Sequence, residues 1–503
     1  MAVYLMGIDI GTSSCKVALF RPDGTVGASG GSEYPVSYPR KGWAEQDPRD
    51  WWNGVCRTVR KMTGESGIDP AEIAGIGVDG QSWSAVALDA AGEVLCPTPI
   101  WTDTRSVEIC RETSERAGGD RIFSLCGNPA QPGYTWPKIL WYRQHRPEVF
   151  EKTEKILQSN SYIVYRMTGE ITQDLSQGYG LACFDMRKGC WDGEMSEKLG
   201  IPRRMLPEIV PSHRIVGRLT KKAAEETGLA EGIPVAAGGL DAACGTLGAG
   251  VVSPGQTQEQ GGQAGGMSIC IDRYAADPRL ILGFHVVPGK WLLQGGTTGG
   301  GGTLKWLRDT VCPELSFEEM SSLAEAAPAG SGGVTFLPYM AGERSPIWNP
   351  DACGVFYGLR FGTTRGQMIR ACMEGVAYAL RHNLETAAAA GARAETLRAM
   401  GGSANSRIWT QIKADVTGCG IEVPGSDTAT TLGAAILAGM GTGVWNSFEE
   451  AAEQTVRVKK QYSPDPETKA VYDRGYETYR QLYEHLKDMM IPERPVKGSE
   501  TEQ

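Results

Sequence analysis

The sequence is poor in histidine and lacks paired cysteines. Its 503 residues include only 5 His, and its 13 Cys are scattered without a C-x-x-C motif. These features argue against a zinc cluster and a disulfide framework, and they favour cysteines that serve as small buried apolar residues in a reducing cytosol. No apolar run reaches about 18 residues, so no transmembrane helix is predicted.

An excess of basic residues is absent as well. The chain carries 50 Lys and Arg against 59 Asp and Glu, a formal net charge of −9. A mildly acidic chain without basic blocks is not expected to bind nucleic acid or an anionic membrane. Residues 1–6 contain no basic residue, so they are expected to form a first strand rather than a signal peptide. We therefore expect a cytoplasmic protein.

One carboxylate near the middle of the chain has the setting of a catalytic group. An apolar run at residues 235–237 leads into Gly238 and Gly239, and Asp241 then precedes a run of small residues. The pattern predicts a strand, a tight turn and a helix, with Asp241 at the corner, where it could take a proton from a hydroxyl. Helix N-caps also favour aspartate, so the residues alone leave both interpretations open.

A predicted hairpin at the start of the chain carries groups suited to phosphate. Residues 3–10 and 16–20 are strand-like, and Gly11, Thr12 and Ser13 lie between them. Backbone N–H groups and hydroxyls at such a tip can donate to a phosphate, while Asp9 at the strand end could hold a divalent cation through water. The alternative is an ordinary β-hairpin without a ligand.

Two further predicted strands, at residues 73–78 and 98–101, are associated with polar and aromatic residues. At or just beyond their ends lie Gln81, Ser82, Trp83, Trp101 and Asp103. In small-molecule sites aromatic rings pack on apolar faces, while amides and carboxylates pair with hydroxyl groups. The sequence therefore predicts a polar small-molecule site here, with plain turn and core residues as the alternative.

The second half of the chain repeats this arrangement. Residues 256–271 again suggest a strand, a glycine-rich tip and a strand, and residues 294–303 form a glycine-rich run that leads into a predicted helix, a potential anion site. The strand predicted at residues 397–400 ends in a Gly-Gly-Ser-Ala-Asn run, against which a nucleobase could lie. The repetition and the length of the chain indicate two large domains of one architecture.

Taken together, these motifs resemble those of the FGGY carbohydrate kinases, in the same order and over nearly the whole chain. They are Gly7-Ile8-Asp9-Ile10-Gly11-Thr12-Ser13, Gly80-Gln81, Trp101-Thr102-Asp103-Thr104-Arg105, Gly238-Gly239-Leu240-Asp241, Leu337-Pro338-Tyr339 with Gly342-Glu343-Arg344-Ser345-Pro346, Gly401-Gly402-Ser403-Ala404-Asn405 and Leu432-Gly433-Ala434-Ala435. The resemblance implies an α/β fold of two actin-like (ribonuclease-H-like) ATPase domains flanking a catalytic cleft. It also implies a sugar-binding domain at residues 1–246, an ATP-binding domain at residues 247–490 and a charged tail at residues 491–503.

The resemblance further implies ATP and Mg²⁺ as cofactors and a sugar or polyol as the phosphoryl acceptor. Asp241 would be the general base, and Asp9 would help to place Mg²⁺. The residues implied at the sugar are Gln81, Ser82, Trp83, Trp101, Asp103 and Asp241. Those implied at the nucleotide are Gly11, Thr12, Ser13, Gly262, Gln263, Gly301, Gly302, Gly401, Gly402 and Asn405. The oligomeric state stays open, a homodimer included.

Two departures from the family pattern bear on function. A Gly-Thr pair is usual in the second phosphate hairpin, where this chain has Gly262-Gln263-Ala264, and Ser82-Trp83 replaces the Met-His pair typical of xylulokinases. The motifs at residues 42–48 and 342–346 still resemble the xylulokinase branch, which makes D-xylulose the first candidate acceptor. Ribulose, gluconate, glycerol or a tetritol is the alternative within the family. A non-kinase actin-like ATPase and an inactive sugar sensor are the alternatives outside this activity.

Overall fold

The structure, a computed structural model, describes residues 3–425 and 428–490. The charged tail predicted at residues 491–503 lies outside the described residues. The strands of the first half are β1 (Tyr4–Ile10), β2 (Ser14–Phe20), β3 (Val26–Glu33), β4 (Glu45–Gln46), β5 (Ile73–Gly80), β6 (Val86–Leu88), β7 (Thr98–Pro99), β8 (Lys155–Leu157), β9 (Thr172–Asp174), β10 (Phe184–Asp185), β11 (Cys190–Trp191), β12 (Glu208–Val210), β13 (Ile215–Arg218), β14 (Pro234–Ala236) and β15 (Gly239–Leu240). Its helices are α1 (Pro48–Ser66), α2 (Val107–Ala117), α3 (Gly119–Cys126), α4 (Thr135–His145), α5 (Pro147–Lys152), α6 (Ser159–Thr168), α7 (Gly193–Leu199), α8 (Lys221–Thr227) and α9 (Asp241–Gly248).

The second half has the same kinds of element. Its strands are β16 (Gln256–Gly261), β17 (Gly265–Ile271), β18 (Ile281–Phe284), β19 (Trp291–Thr297), β20 (Thr335–Leu337), β21 (Val355–Tyr357), β22 (Thr396–Met400), β23 (Gly420–Pro424) and β24 (Val458–Tyr462). Its helices are α10 (Gly301–Val311), α11 (Phe317–Ala326), α12 (Arg365–Ala389), α13 (Arg407–Thr417), α14 (Ala429–Thr442), α15 (Phe448–Thr455) and α16 (Lys469–Leu486).

The first half is built on a seven-stranded sheet in the order β13-β14-β5-β1-β2-β3, with β15 also paired to β5. β1 is buried along its length because its residues are apolar apart from Asp9. It runs antiparallel to β2 and parallel to β5, which confirms the hairpin predicted at the start of the chain. Asp9 and Asp79 are register partners at the shared ends of β1 and β5, so the sheet brings their carboxylates to one edge.

The second half is built on another seven-stranded sheet, in the order β18-β19-β17-β16-β22-β23-β24. β16 runs antiparallel to β17 and parallel to β22, as β1 does relative to β2 and β5. The predicted repetition of one architecture is thereby confirmed. The boundary predicted after residue 246 falls inside α9, and the second sheet begins at Gln256.

Helices α9 and α14 join the two halves. α14 comes late in the chain, yet it packs on α9 and on β1 and β5 of the first sheet. A Cβ on Gly77 would lie 1.9 Å from the Ala434 carbonyl oxygen, and one on Gly433 would lie 1.9 Å from that of Cys244. Real Cβ atoms do not approach backbone oxygens so closely, so this interface requires glycine at both positions.

The described residues contain neither a disulfide bond nor a membrane-spanning helix. The 13 cysteines are free thiols, and most of them are buried. Within residues 3–425 and 428–490, no helix combines the length and apolar character needed to span a membrane.

Candidate active site

Three carboxylates lie at the edge where β1, β5 and β15 end. Asp9 and Asp79 are 7% and 0% exposed, and Asp241, which is partly exposed, begins α9 directly after β15. Burial, followed by the negative charge of Asp9, raises the pKa of Asp241 to about 7. Burial and the charges of Asp9 and Asp241 hold the pKa of Asp79 well above its usual range. A carboxylate that titrates near neutral pH has the proton affinity that a general base needs.

The turn that presents Asp241 is fixed by a glycine and a buried serine. Gly238 has a φ of +82°, and a Cβ there would lie 1.9 Å from the Val78 carbonyl oxygen, so only glycine fits. The Ser176 hydroxyl accepts a hydrogen bond from the Leu240 N–H at 2.8 Å. The helix begins at Asp241 itself, with Leu240 as the cap residue, so the N-cap interpretation of Asp241 is wrong.

Asp9 is held by a residue from the far end of the chain. The Thr430 hydroxyl, in the first turn of α14, donates to Asp9 Oδ2 at 3.0 Å. Burial raises the pKa of Asp9, while hydrogen bonds from Asp79 and Thr430 oppose that rise. The sequence analysis did not identify Thr430, although the hydroxyl-rich run around it in an otherwise apolar helix start is a signal for such a role.

This carboxylate cluster suits a divalent cation. Both Asp79 oxygens are buried and accept no hydrogen bond from an N–H or hydroxyl group of the described residues, and Asp9 lies beside them. Across residues 3–425 and 428–490, no three His, Cys, Asp or Glu side chains converge with the spacing of a complete metal site. Mg²⁺ commonly takes one or two carboxylates and completes its shell with water and phosphate oxygens, so the residues present fit that ion.

The segment after β5 combines a buried amide with an aromatic cluster. Gln81 is 1% exposed, and its Oε1 has no donor among the described residues. Ser82 is partly exposed. Trp83 has a φ of +56°, which is rare for a residue other than glycine, and its ring meets Tyr134 and Tyr179 edge-on at centroid distances of 4.6 and 5.7 Å. A strained backbone beside a buried amide oxygen that accepts no hydrogen bond is typical of a ligand site.

The segment after β7 contains the other two residues predicted at the sugar. Trp101 Nε1 donates to Thr12 Oγ1 at 2.9 Å, while the Trp101 side chain remains 40% exposed. Asp103 is fully buried; it accepts the Ala44 N–H at 2.7 Å and forms an ion pair with Arg105 at 2.8 Å. Both Asp103 oxygens are thus bonded within the protein, so this carboxylate holds the segment instead of facing a ligand as the sequence predicted.

A buried lysine that the sequence analysis missed ties these segments together. Lys138 of α4 is fully buried, and its Nζ donates to the carbonyl oxygens of Trp83, Ile100 and Gly133 at 2.8, 2.8 and 2.7 Å. Burial lowers the pKa of Lys138 to about 7, and three acceptors match the three N–H donors of its charged form. The sequence signal for this role is a lysine that stands alone among the apolar residues of α4.

The residues predicted at the nucleotide fall on two hairpin tips and two glycine-rich segments. All of these residues are partly or fully exposed. They are Gly11, Thr12 and Ser13 on the first hairpin, Gly262 and Gln263 on the second, Gly301 and Gly302 at the start of α10, and Gly401, Gly402 and Asn405 after β22. A Cβ on Gly401 would lie 2.9 Å from the backbone of Gly261. The second hairpin and the segment after β22 are therefore adjacent.

The start of α10 is bonded to the second hairpin. The Gly301 N–H donates to the Gly262 carbonyl at 2.7 Å, and the Gly302 N–H donates to the Gln263 carbonyl at 2.9 Å. These are two of the donors that a helix start offers to an anion. An anion could use them only after the hairpin tip has moved away.

Comparisons with known proteins agree with this arrangement. Residues 4–248 match the N-terminal domain of the FGGY family of carbohydrate kinases, and residues 276–442 match its C-terminal domain. The chain is 32% identical over 488 residues to the xylulose kinase of Bacillus subtilis (strain 168), covering 97% of this chain and 98% of that relative. The crystal structure of xylulose kinase from Rhodospirillum rubrum is similar with a TM-score of 0.91 at 31% identity, covering 97% and 99% of the two chains. That of gluconate kinase from Lactobacillus acidophilus gives a TM-score of 0.89 at 26% identity, covering 97% and 98%.

Proposed function

Because the chain belongs to the FGGY family of carbohydrate kinases, with its two actin-like α/β domains, we propose that it transfers the γ-phosphoryl group of ATP to D-xylulose and yields D-xylulose 5-phosphate. The observation that carries the proposal is Asp241, a partly exposed carboxylate at a strand-to-helix corner with a pKa of about 7. The similarity to two xylulose kinases over nearly the full chain supports the choice of acceptor.

In the proposed reaction Asp241 orients the acceptor hydroxyl and accepts its proton as the oxygen attacks the γ-phosphorus. Phosphoryl transfer requires positioning and charge stabilisation more than covalent chemistry. Asp9, with Asp79 beside it, would hold Mg²⁺ together with phosphate oxygens, and Thr430 keeps the Asp9 carboxylate in place. The bound metal would neutralise charge on the transferred group. Gly11, Thr12 and Ser13 would donate to that group from the first hairpin.

The sugar would lie on the first domain, proposed to span residues 1–246, and ATP mainly on the second, residues 247–490. Gln81, Ser82, Trp83 and Trp101 would contact the sugar, and Asp103 would support them from behind. Gly262, Gln263, Gly301, Gly302, Gly401, Gly402 and Asn405 would bind the nucleotide, with the hairpin tip displaced from α10. We further propose a cytoplasmic location, consistent with free cysteines, and a homodimer, which rests on the family resemblance alone.

The test is ADP release with Mg²⁺-ATP across D-xylulose, D-ribulose, D-gluconate, glycerol and erythritol. A site built to pair each hydroxyl rejects an analogue that lacks one, as glycerol and erythritol do, or that presents one in the opposite configuration, as D-ribulose does. D-Xylulose should therefore give a kcat/KM well above the others. Turnover with another acceptor alone would replace D-xylulose as the proposed substrate but leave the proposed kinase activity in place. ATP hydrolysis that is equal with and without every acceptor would contradict the kinase and favour an actin-like ATPase.

A further inference from the structure

A guanidinium that forms no ion pair with the described residues lies against β19 of the second sheet. Arg344 is partly exposed, and no carboxylate of the described residues lies within salt-bridge distance of it, nor does its guanidinium donate a hydrogen bond to them. It rests on Gly296 of β19, where an added Cβ would be 3.1 Å from Arg344 Cζ. An arginine that reaches inward yet forms no ion pair retains five N–H donors for a ligand.

The neighbours of Arg344 fix its position. Glu343 is buried, and its Oε1 accepts the N–H groups of Arg344 and Thr298 at 2.7 and 2.8 Å. Ser345 Oγ accepts the Gly296 N–H at 2.7 Å. The loop is therefore tied to β19 on both sides of Arg344. Such anchoring reduces the conformational entropy that the side chain would lose on binding.

Arg344 faces the aromatic cluster of the first domain. A Cβ on Gly283 of β18 would lie 3.4 Å from Tyr179 Cε1 and 3.7 Å from Gln294 Oε1, and Gln294 and Gly296 share one face of β19 because side chains alternate along a strand. The Arg344 charge opposes the rise in pKa that burial gives to Tyr179, whereas the Asp241 charge adds to it. The charges of Arg344 and Asp241 therefore both act on Tyr179, which lies between the two in electrostatic terms.

We propose that Arg344 binds the end of the acceptor that is remote from the phosphorylated hydroxyl, through an sp² oxygen. The inference rests on the proposed function. An acceptor that lies along Trp83 and Tyr179 with its reacting hydroxyl at Asp241 directs its other end towards Arg344. The ketone oxygen of a ketose or the carboxylate of an aldonate accepts strongly from a guanidinium, whereas a polyol offers only hydroxyls there. Arg344 therefore selects a ketose or a sugar acid over the corresponding polyol.

The test compares Arg344→Met and Arg344→Lys with Arg360→Met, a substitution of an exposed arginine in the same half of the chain. Each protein is assayed with D-xylulose, D-gluconate and D-arabinitol, which separate the ketone, carboxylate and polyol. Loss of a charged hydrogen bond should raise KM for the ketose or aldonate substrate by about 10- to 100-fold in Arg344→Met. Its kcat, its KM for ATP and its kcat/KM for the polyol should stay within about twofold of wild type. Arg344→Lys should recover part of the loss if the substrate is the aldonate, because the charge remains.

Two results with Arg344→Met would overturn the inference. One is a loss of kcat/KM for the polyol equal to that for the ketose or aldonate. The other is a fall in kcat at unchanged acceptor KM, which would place Arg344 at the transferred phosphoryl group. Thermal unfolding of each variant checks folding. Arg344→Met should unfold close to wild type, because it breaks no ion pair of the described residues and removes only the charge that opposes the raised pKa of Glu343. Failure of the proposed function would appear differently, as a wild-type protein that no acceptor stimulates.

Discussion

Replacing Asp241 by asparagine tests both the base and its electrostatic setting. Asn has nearly the same shape and can still accept the Ala242 N–H that now bonds to Asp241 Oδ1 at 2.6 Å. It cannot take a proton from the acceptor hydroxyl. Loss of a positioned general base should lower kcat by about 100- to 10,000-fold, while the KM for ATP should change little.

The same substitution should change how stability depends on pH. The pKa of Asp241 rises from 3.8 to about 7 in the folded protein, so the folded state binds this proton more tightly than the unfolded chain. The resulting stabilisation is complete below the unfolded pKa and is lost as the pH rises through the folded value. Each pKa unit corresponds to about 1.36 kcal/mol. From about pH 5 to pH 8 the wild-type protein should therefore lose about 3 kcal/mol relative to the variant.

The assay is denaturant unfolding of both proteins at about pH 5 and about pH 8, without nucleotide or metal, alongside ADP release at saturating acceptor. Asp272→Asn is the matched control, because Asp272 is exposed and carries the same change of charge. A stability difference that stays constant with pH would refute the raised pKa of Asp241. Activity within about tenfold of wild type would refute its role as the base.

Three other substitutions, with Gly64→Ala as a control, test the frame around the site. Gly433→Ala, whose Cβ would lie 1.9 Å from a backbone oxygen, should lower the free energy of unfolding by about 1–3 kcal/mol or more, whereas Gly64→Ala inside α1, with nothing within 4 Å, should raise it by about 0.5–1 kcal/mol; urea unfolding measures both. Lys138→Met leaves the Trp83 and Gly133 carbonyls without a donor among the described residues and should cost about 2 kcal/mol or more in the same assay, with a higher acceptor KM. Thr430→Val removes the hydrogen bond to Asp9 and should raise the Mg²⁺ concentration at half-maximal rate by about tenfold; an unchanged Mg²⁺ dependence would show that Thr430 does not position Asp9 for the metal.

Features that depend on neighbours in sequence were predictable. The apolar run, the glycine pair and the small-residue run identify the corner at Asp241, because strand and turn preferences are local. The first hairpin follows from two apolar runs separated by Gly11, Thr12 and Ser13. Its repetition near residue 260 predicts the second domain from local pattern alone.

Features that depend on long-range partners were not predictable. Thr430 and Asp9 are 421 positions apart, and no local pattern connects them. Lys138 looks like an unremarkable helix residue until three carbonyls from separate segments surround its Nζ. Asp103 shows the opposite failure: polar residues after a strand suggest a ligand site, but its burial beside Arg105 assigns its carboxylate to the protein. Residue type indicates which chemistry a side chain can perform, whereas packing decides whether that side chain is available to a ligand.

The geometry also explains why the site must be assembled from both halves of the chain. Asp241 begins α9, Thr430 begins α14, and these helices pack so closely that glycine is required where α14 meets Cys244. A shift of α14 against the first sheet would therefore move Thr430 relative to Asp9, the proposed metal ligand. Because the second domain supplies both α14 and Arg344, its position governs the proposed metal ligand and the proposed acceptor contact together. We therefore predict that metal and acceptor binding are coupled and that Thr430→Val weakens the coupling without touching Arg344.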